Sequence, residues 1–134
     1  MKFFKPGKVV LMLNGRYAGK KAVIVKSVVH KSKQHSFSRL LVAGLRKSPR
    51  KITRNMSAKR TVQKSGMRPF VKVVNFSHVL PTRYTANFPL KNVVTFDKVD
   101  DPVKRRHVRK IVKKIFQKQY RAGESKWFFE KLRF

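Results

Sequence analysis

Along the first 96 positions the apolar residues come in short, dense runs separated by polar and turn-forming stretches. Residues 8–14 (KVVLMLN) and 22–29 (AVIVKSVV) are rich in β-branched and aliphatic side chains. Turn formers bound both runs, which predicts two strands around the loop NGRYAGKK. A polar connection (HKSKQHS, 30–36) leads to a third strand signal at 37–45, where Gly44 marks a bulge or a close approach of backbone. After a turn at Pro49, residues 52–55 read as a short fourth strand. The segment 56–66 fits one short helix, with Ser57 as its cap and Gly66 as its stop. Its apolar face (Met56, Ala58, Val62) is so thin that a basic loop fits as well. Residues 68–80 (RPFVKVVNFSHVL) carry the longest strand signal of the middle of the chain. Residues 81–89 have prolines at both ends and read as an extended loop, and 90–96 (LKNVVTF) as a last strand.

The pattern changes after position 96. Val108, Ile111, Val112, Ile115, Phe116 and Tyr120 follow the three-and-four spacing of one helical face. Asp100 or Asp101 suits the cap, Pro102 the first turn and Gly123 the stop, so a helix of about 20 residues is predicted there. The tail ESKWFFEKLRF places four aromatics in eleven residues. The fold class expected is mostly β with an α extension. Residues 1–96 form a small barrel or rolled sheet, and residues 97–134 a long basic helix followed by an aromatic tail.

Charge narrows the function. The 134 residues include 35 Lys and Arg against 5 Asp and Glu, a formal net charge of +30. All five acids (Asp97, Asp100, Asp101, Glu124, Glu130) lie beyond position 96, so the first 96 residues hold 22 cations and no side-chain partner for them. Those cations must face solvent, counter-ions or an external anion, and self-repulsion on this scale opposes compaction until a polyanion neutralises it. A membrane surface fits poorly, because the basic part reads as short strands rather than an amphipathic helix with a lipid face. No apolar run is long enough to span a bilayer, and the start MKFFKPGK lacks the apolar stretch of a secretory signal. There is no cysteine. An intracellular protein with a nucleic-acid partner is expected.

Catalysis is not expected. The only adjacent acids, Asp100 and Asp101, sit at a helix start, where capping explains them. His30, His35, His78 and His107 lack metal-site spacing, and no phosphate-binding Gly-rich motif is present. No metal, cofactor or small-molecule substrate is expected.

The cations gather in turns: Arg16, Lys20 and Lys21; Lys31 and Lys33; Arg46, Lys47, Arg50 and Lys51; Lys59, Arg60 and Lys64. Turns are where a small barrel presents charge to a ligand while its strands keep the core. Expected contacts to RNA phosphates are Arg16, Lys20, Lys21, Arg50, Lys51, Lys59 and Arg60, with Arg68, Arg83 and Tyr84 extending the surface. Lys104, Arg105, Arg109, Lys110 and Lys113 would line the helix, and Trp127 and Arg133 anchor the tail. Tyr17, Tyr84 and Trp127 either stack on unpaired bases or pack in the core. Phe37, Phe70, Phe76 and Phe96 are assigned to the core. The helix's apolar stripe suits either the barrel or a partner protein.

The segment KVVLMLNGRYAGKKAVIVKSV resembles a KOW motif, the strand–loop–strand element of SH3-like barrels in ribosomal proteins and transcription elongation factors. Ala22 stands where that motif usually carries a further glycine. FFKPGKVV, NGRYAGKKAVIVK, RPFVKVVNFSHVLPTRY and SKWFFEKLRF together resemble, in order, the eukaryotic large-subunit ribosomal protein twenty-seven family. The phrases HVLPTRY and WFF…LRF carry most of the likeness, HKSKQHSF and TANFPLKNVV least. The resemblance implies a non-catalytic component of the 60S subunit, with large-subunit ribosomal RNA and neighbouring ribosomal proteins as partners. It implies residence in cytoplasmic ribosomes, and in the nucleolus during assembly. A KOW-type transcription or RNA-processing factor and a DNA-compacting basic protein are the rival readings.

Overall fold

A computed structural model describes residues 3–29 and 33–134. His30 and Lys31, expected in the polar connection, lie outside the described residues. Five antiparallel strands, β1 (Lys8–Met12), β2 (Lys21–Val28), β3 (Arg39–Lys47), β4 (Arg68–Asn75) and β5 (Val79–Thr85), form one sheet in the order β4-β3-β2-β1-β5. Among the described residues four helices accompany it: α1 (Ala58–Lys64), α2 (Phe96–Asp100), α3 (Pro102–Ala122) and α4 (Lys126–Phe129).

The two edge strands, β4 and β5, are consecutive in the chain. Only a single 3-10 turn, Phe76–His78, joins them, with the Asn75 side chain accepting from the Ser77 N–H. Opposite edges of a flat five-stranded sheet would lie about 19 Å apart at ordinary strand spacing. Three linking residues reach at most about 14 Å. The sheet is therefore rolled, its edges drawn together by that turn, up to which the Leu13 N–H, donating to the His78 carbonyl at 2.9 Å, extends the β1–β5 ladder.

Rolling gives the central strands two buried faces. Val10, Met12, Ala22, Ile24, Leu40, Val42, Phe70 and Val74 pack inside the roll with Tyr17 and Phe76. Their alternating neighbours Val9, Val23, Val25, Leu41, Ala43, Leu45 and Val71 pack on the outside against Val108, Val112, Phe116 and Phe128 of the helices. Burial on both faces is why these strands read as continuous apolar runs rather than as alternation. The apolar stripe of α3 thus docks on the sheet of its own chain, the first of the two options left open by its sequence.

Helix α3 begins and ends where the sequence signals place it. The Asp101 carboxylate accepts from the Val103 N–H at 2.9 Å, Pro102 occupies the first turn, and Gly123 closes the helix at φ 76°. Helix α1 exists, capped by Ser57, but it buries no residue and Val62 is 71% exposed. Ala22, in the place of the expected glycine, is fully buried and pairs with Val10 and Gly44. Gly44 is a close approach: a Cβ there would lie 2.5 Å from the Lys21 carbonyl oxygen and 2.7 Å from the Phe70 ring.

Five expectations need correction, four of segments and one, Phe37, of a side chain assigned to the core. Residues 52–55 form no strand; they belong to an exposed turn. The stretch 68–80 is interrupted by the 3-10 turn, so its last residues start a new strand. The expected loop at 81–89 is largely β5, paired to β1 through Leu11↔Leu80 and Met12↔Val79. Pro81 is tolerated there because β5 is an edge strand in the hydrogen-bonded order. Residues 90–96 are a turn entering α2, held by the Val94 N–H donating to the Leu90 carbonyl at 2.9 Å. Leu90 and Val94 are apolar because they are buried, not because they are extended. Among the phenylalanines, Phe70 and Phe76 are core, Phe96 is half-buried against it, and Phe37 is 40% exposed.

Candidate nucleic-acid interface

The β1–β2 connection is the first element of the candidate interface. Gly15 and Gly19 both adopt positive φ (85° and 76°), which a side chain would resist, and let the loop fold back so that Gly19 N–H donates to Met12 at 2.7 Å. Tyr17 turns inward and stacks on Phe70 with 4.0 Å between centroids, so it is core and not a base platform. Arg16 stays exposed, its guanidinium 5.1 Å from the Tyr17 centroid.

The second element is an arm between β3 and β4. Its base is closed by the Arg50 N–H donating to the Lys64 carbonyl at 2.8 Å. Arg50, Lys51, Lys59 and Arg60 are all exposed on it. Residues 50–64, within that closure, bury no side chain and have little apolar packing of their own, so their cations are free to conform to a ligand.

The third element is the end of α3 with α4 and the tail. Phe128 and Phe129 enter the main core, ringed by Phe88, Phe116 and Tyr120 at centroid distances of 5.2 to 6.3 Å. This aromatic cluster brings the tail back beside the β1–β2 loop, with the Phe134 ring 3.8 Å from where a Cβ on Gly19 would lie.

Between the three elements lies an open cleft of about 1200 Å³. Nine Lys and Arg side chains line it against two carboxylates, Glu124 and Glu130, which gives it a net positive lining. It gathers Lys20, Lys21, Arg50, Lys51, Trp127 and Arg133 from the expected contacts. It also recruits Arg46, Lys47, Lys126 and Lys131, which were not among them. Lys126 directly precedes Trp127 and Lys131 lies between Phe129 and Phe134; the signal available in the sequence was that those aromatics must pack and carry their basic neighbours along.

The remaining expected contacts lie elsewhere. Arg68 and Arg83 are exposed, as are Lys104, Arg109, Lys110 and Lys113 on the solvent face of α3, while Arg105 is half-buried. Lys104 makes the one salt bridge among the described residues, to Asp101 at 3.9 Å on an exposed helix turn.

Two expectations change in kind. Lys21 does not project from the rim: it is 5% exposed. Its ammonium donates to the carbonyls of Trp127 and, at 2.8 Å, of Glu130, and lies 3.8 Å from the Trp127 ring centroid. A buried charge is tolerable only with such partners. Burial pushes the Lys21 pKa below the ordinary lysine value, and the Glu130 carboxylate opposes the shift. Trp127 and Tyr84, in turn, stack on each other at 4.2 Å and 18°. An ammonium 3.8 Å and a ring 4.2 Å from the same centroid are too close to share a face, so both faces of the indole are occupied within the protein. Tyr84 also accepts a hydrogen bond from Arg83 at 3.2 Å. Lys21, Trp127, Tyr84 and Arg83 form a stack of two rings between two cations that ties β2 and β5 to α4.

Comparison with known proteins gives a consistent match. The Ribosomal L27e protein family model matches residues 9–134. Large ribosomal subunit protein eL27A of Schizosaccharomyces pombe is 46% identical over 135 residues, covering 100% of this chain and 99% of its own length. Large ribosomal subunit protein eL27 of Candida albicans is 44% identical over 134 residues, covering 99% of this chain and 98% of its own. Large ribosomal subunit protein eL27B of Saccharomyces cerevisiae is 46% identical over 134 residues, with the same coverage.

Proposed function

The chain belongs to the Ribosomal L27e protein family, and we propose that it is a structural constituent of the large ribosomal subunit that binds and stabilises ribosomal RNA in cytoplasmic translation. The observation that carries this is the unneutralised charge. Of 35 cations, one pairs with a carboxylate among the described residues, and the rest outnumber the acids so heavily that no rearrangement of this chain can neutralise them. RNA phosphates supply the missing anions at high density, and their counter-ions are released on binding. The cleft, the β3–β4 arm and the solvent face of α3 are the three basic surfaces that meet RNA. Neighbouring large-subunit proteins are its other partners, and its assembly into the particle begins in the nucleolus.

The architecture fits this role. A rolled five-stranded sheet whose edge strands are joined by one 3-10 turn supports an SH3-like barrel over residues 1–96, with the β1–β2 loop as its KOW element. Residues 97–134 are the extension that closes the cleft.

Sedimentation tests the proposal. The full-length tagged chain, expressed in cells, is expected to remain with 60S particles through a moderate salt wash. Release into the soluble fraction at that salt would favour a transcription or RNA-processing factor. Equal affinity for duplex DNA and large-subunit RNA fragments at physiological salt would favour a DNA-compacting protein.

A further inference from the structure

Lys20 and Lys21 are neighbours of one residue type, yet Lys20 is half-exposed at the cleft and Lys21 is spent inside the protein. Its two acceptor carbonyls bracket the end of α4: Trp127 lies in the helix and Glu130 is the residue that caps it. Beyond Glu130 the chain has little to hold it. No hydrogen bond between described residues involves Lys131, Leu132, Arg133 or Phe134, and only Leu132 is half-buried. The aromatic anchors Phe128 and Phe129 fix the start of the tail but not the direction in which it leaves. The Glu130 carbonyl is the last fixed point, and the Lys21 ammonium is what fixes it.

We infer that Lys21 is a positioning residue of the cleft: it touches no phosphate, and it sets the exit of the tail so that Lys131 and Arg133 stand opposite Lys20, Arg50 and Lys51. This rests on the RNA-binding reading above and adds a division of labour to it. An ammonium suits the task because it satisfies two carbonyls and an indole face at once, which an apolar side chain of the same length cannot. The Tyr84 ring on the other indole face completes the clamp, so Trp127 reports its state.

The test compares the full-length Lys21→Met chain with Lys131→Ala/Arg133→Ala, which alters only exposed side chains, and with the combination of all three. Two readouts are taken. Without RNA, acrylamide quenching of Trp127 fluorescence and amide exchange over 127–134 follow the clamp. With oligouridylate, the dependence of affinity on salt counts phosphate contacts, at about 0.7 in log–log slope for each. Lys21→Met is expected to raise quenching and exchange and to lower the slope by about 1.4, the loss of two contacts. The tail double mutant should show the same loss of slope, and the triple mutant no further loss. If Lys21→Met leaves Trp127 and the tail unchanged, lowers the slope by about 0.7 and adds to the tail mutations, Lys21 is a direct contact and the inference is overturned. If Lys21→Met loosens the tail but the tail double mutant leaves the slope unmoved, the cleft is not where RNA sits. That result overturns the positioning role through the failure of the RNA reading of the cleft, and it is distinguishable from failure of the clamp.

Discussion

Substituting Gly44 with alanine asks how tightly the middle of the sheet is built. Gly44 lies in β3 between Ala22 of β2 and Phe70 of β4. An added Cβ would stand 2.5 Å from the Lys21 carbonyl oxygen and 2.7 Å from two Phe70 ring carbons. Even a close carbon–oxygen contact needs about 3.3 Å, so the strand backbone would have to retreat by roughly 0.8 Å. Neither neighbour can yield cheaply. The carbonyl is main chain at the head of a paired strand, and the Phe70 ring is stacked on Tyr17 at 4.0 Å. Overpacking of this kind costs about 1–3 kcal/mol, and the rigidity on both sides points to the upper end. Alanine recovers roughly 0.5–1 kcal/mol by restricting the unfolded chain. The net expectation is a loss of about 2 kcal/mol, or roughly 6–10 °C in melting temperature for a domain of this size. Urea unfolding of the full-length chain in phosphate buffer, which screens its charge, measures this as a lower midpoint at unchanged slope. Gly123→Ala is the comparison. Its φ of 76° imposes strain, but nothing lies within 4 Å of its Cβ, so about 1 kcal/mol is expected. A Gly44→Ala chain as stable as the parent, or less affected than Gly123→Ala, would refute the close-approach argument.

The same unfolding assay on Phe116→Ala should show a loss of about 3–5 kcal/mol, because that fully buried ring joins α3 to Phe88, Phe128 and Phe129. Asp101→Ala removes the acceptor for the Val103 N–H and should cost about 1 kcal/mol, seen in urea unfolding followed by far-UV circular dichroism. The exposed pair with Lys104 adds little to that figure. Lys59→Ala/Arg60→Ala on the arm should leave stability unchanged, since α1 buries nothing. The salt slope for oligouridylate should fall by about 1.4 if both contact phosphate, as filter binding will report.

Much of the fold was legible where one local signal had one meaning. Asp101, Pro102 and Gly123 bracketed α3 because capping and left-handed φ are local properties, and β1, β2 and β3 announced themselves by density of β-branched side chains. The errors fell where burial and extension look alike in sequence. Leu90 and Val94 are apolar because a turn drops them into the core, and a strand was read from them. Residues 81–89 read as a loop because of the prolines at both ends, yet 81–85 belong to β5, where an edge strand accommodates Pro81. For the site, the exposed cations of the turns, the arm and α3 were legible as cations without partners. Convergence of six expected residues on one cleft was not, because the aromatic cluster that returns the tail joins Phe88 to residues beyond position 115.

What the sequence by itself determined about this protein is an excess of cations that no folding of the chain can neutralise. The first 96 residues contain no carboxylate, and folding can redistribute charges but cannot create them. Tertiary structure alone decided which of those cations stay at the surface and which are buried. Lys20 and Lys21 have the same chemistry and adjacent positions, and nothing local separates them. They part because α4, docked through Phe128 and Phe129, sets two backbone carbonyls and an indole face within reach of one ammonium and not the other. A buried charge goes where its partners are, and those partners lie more than a hundred residues away in the chain.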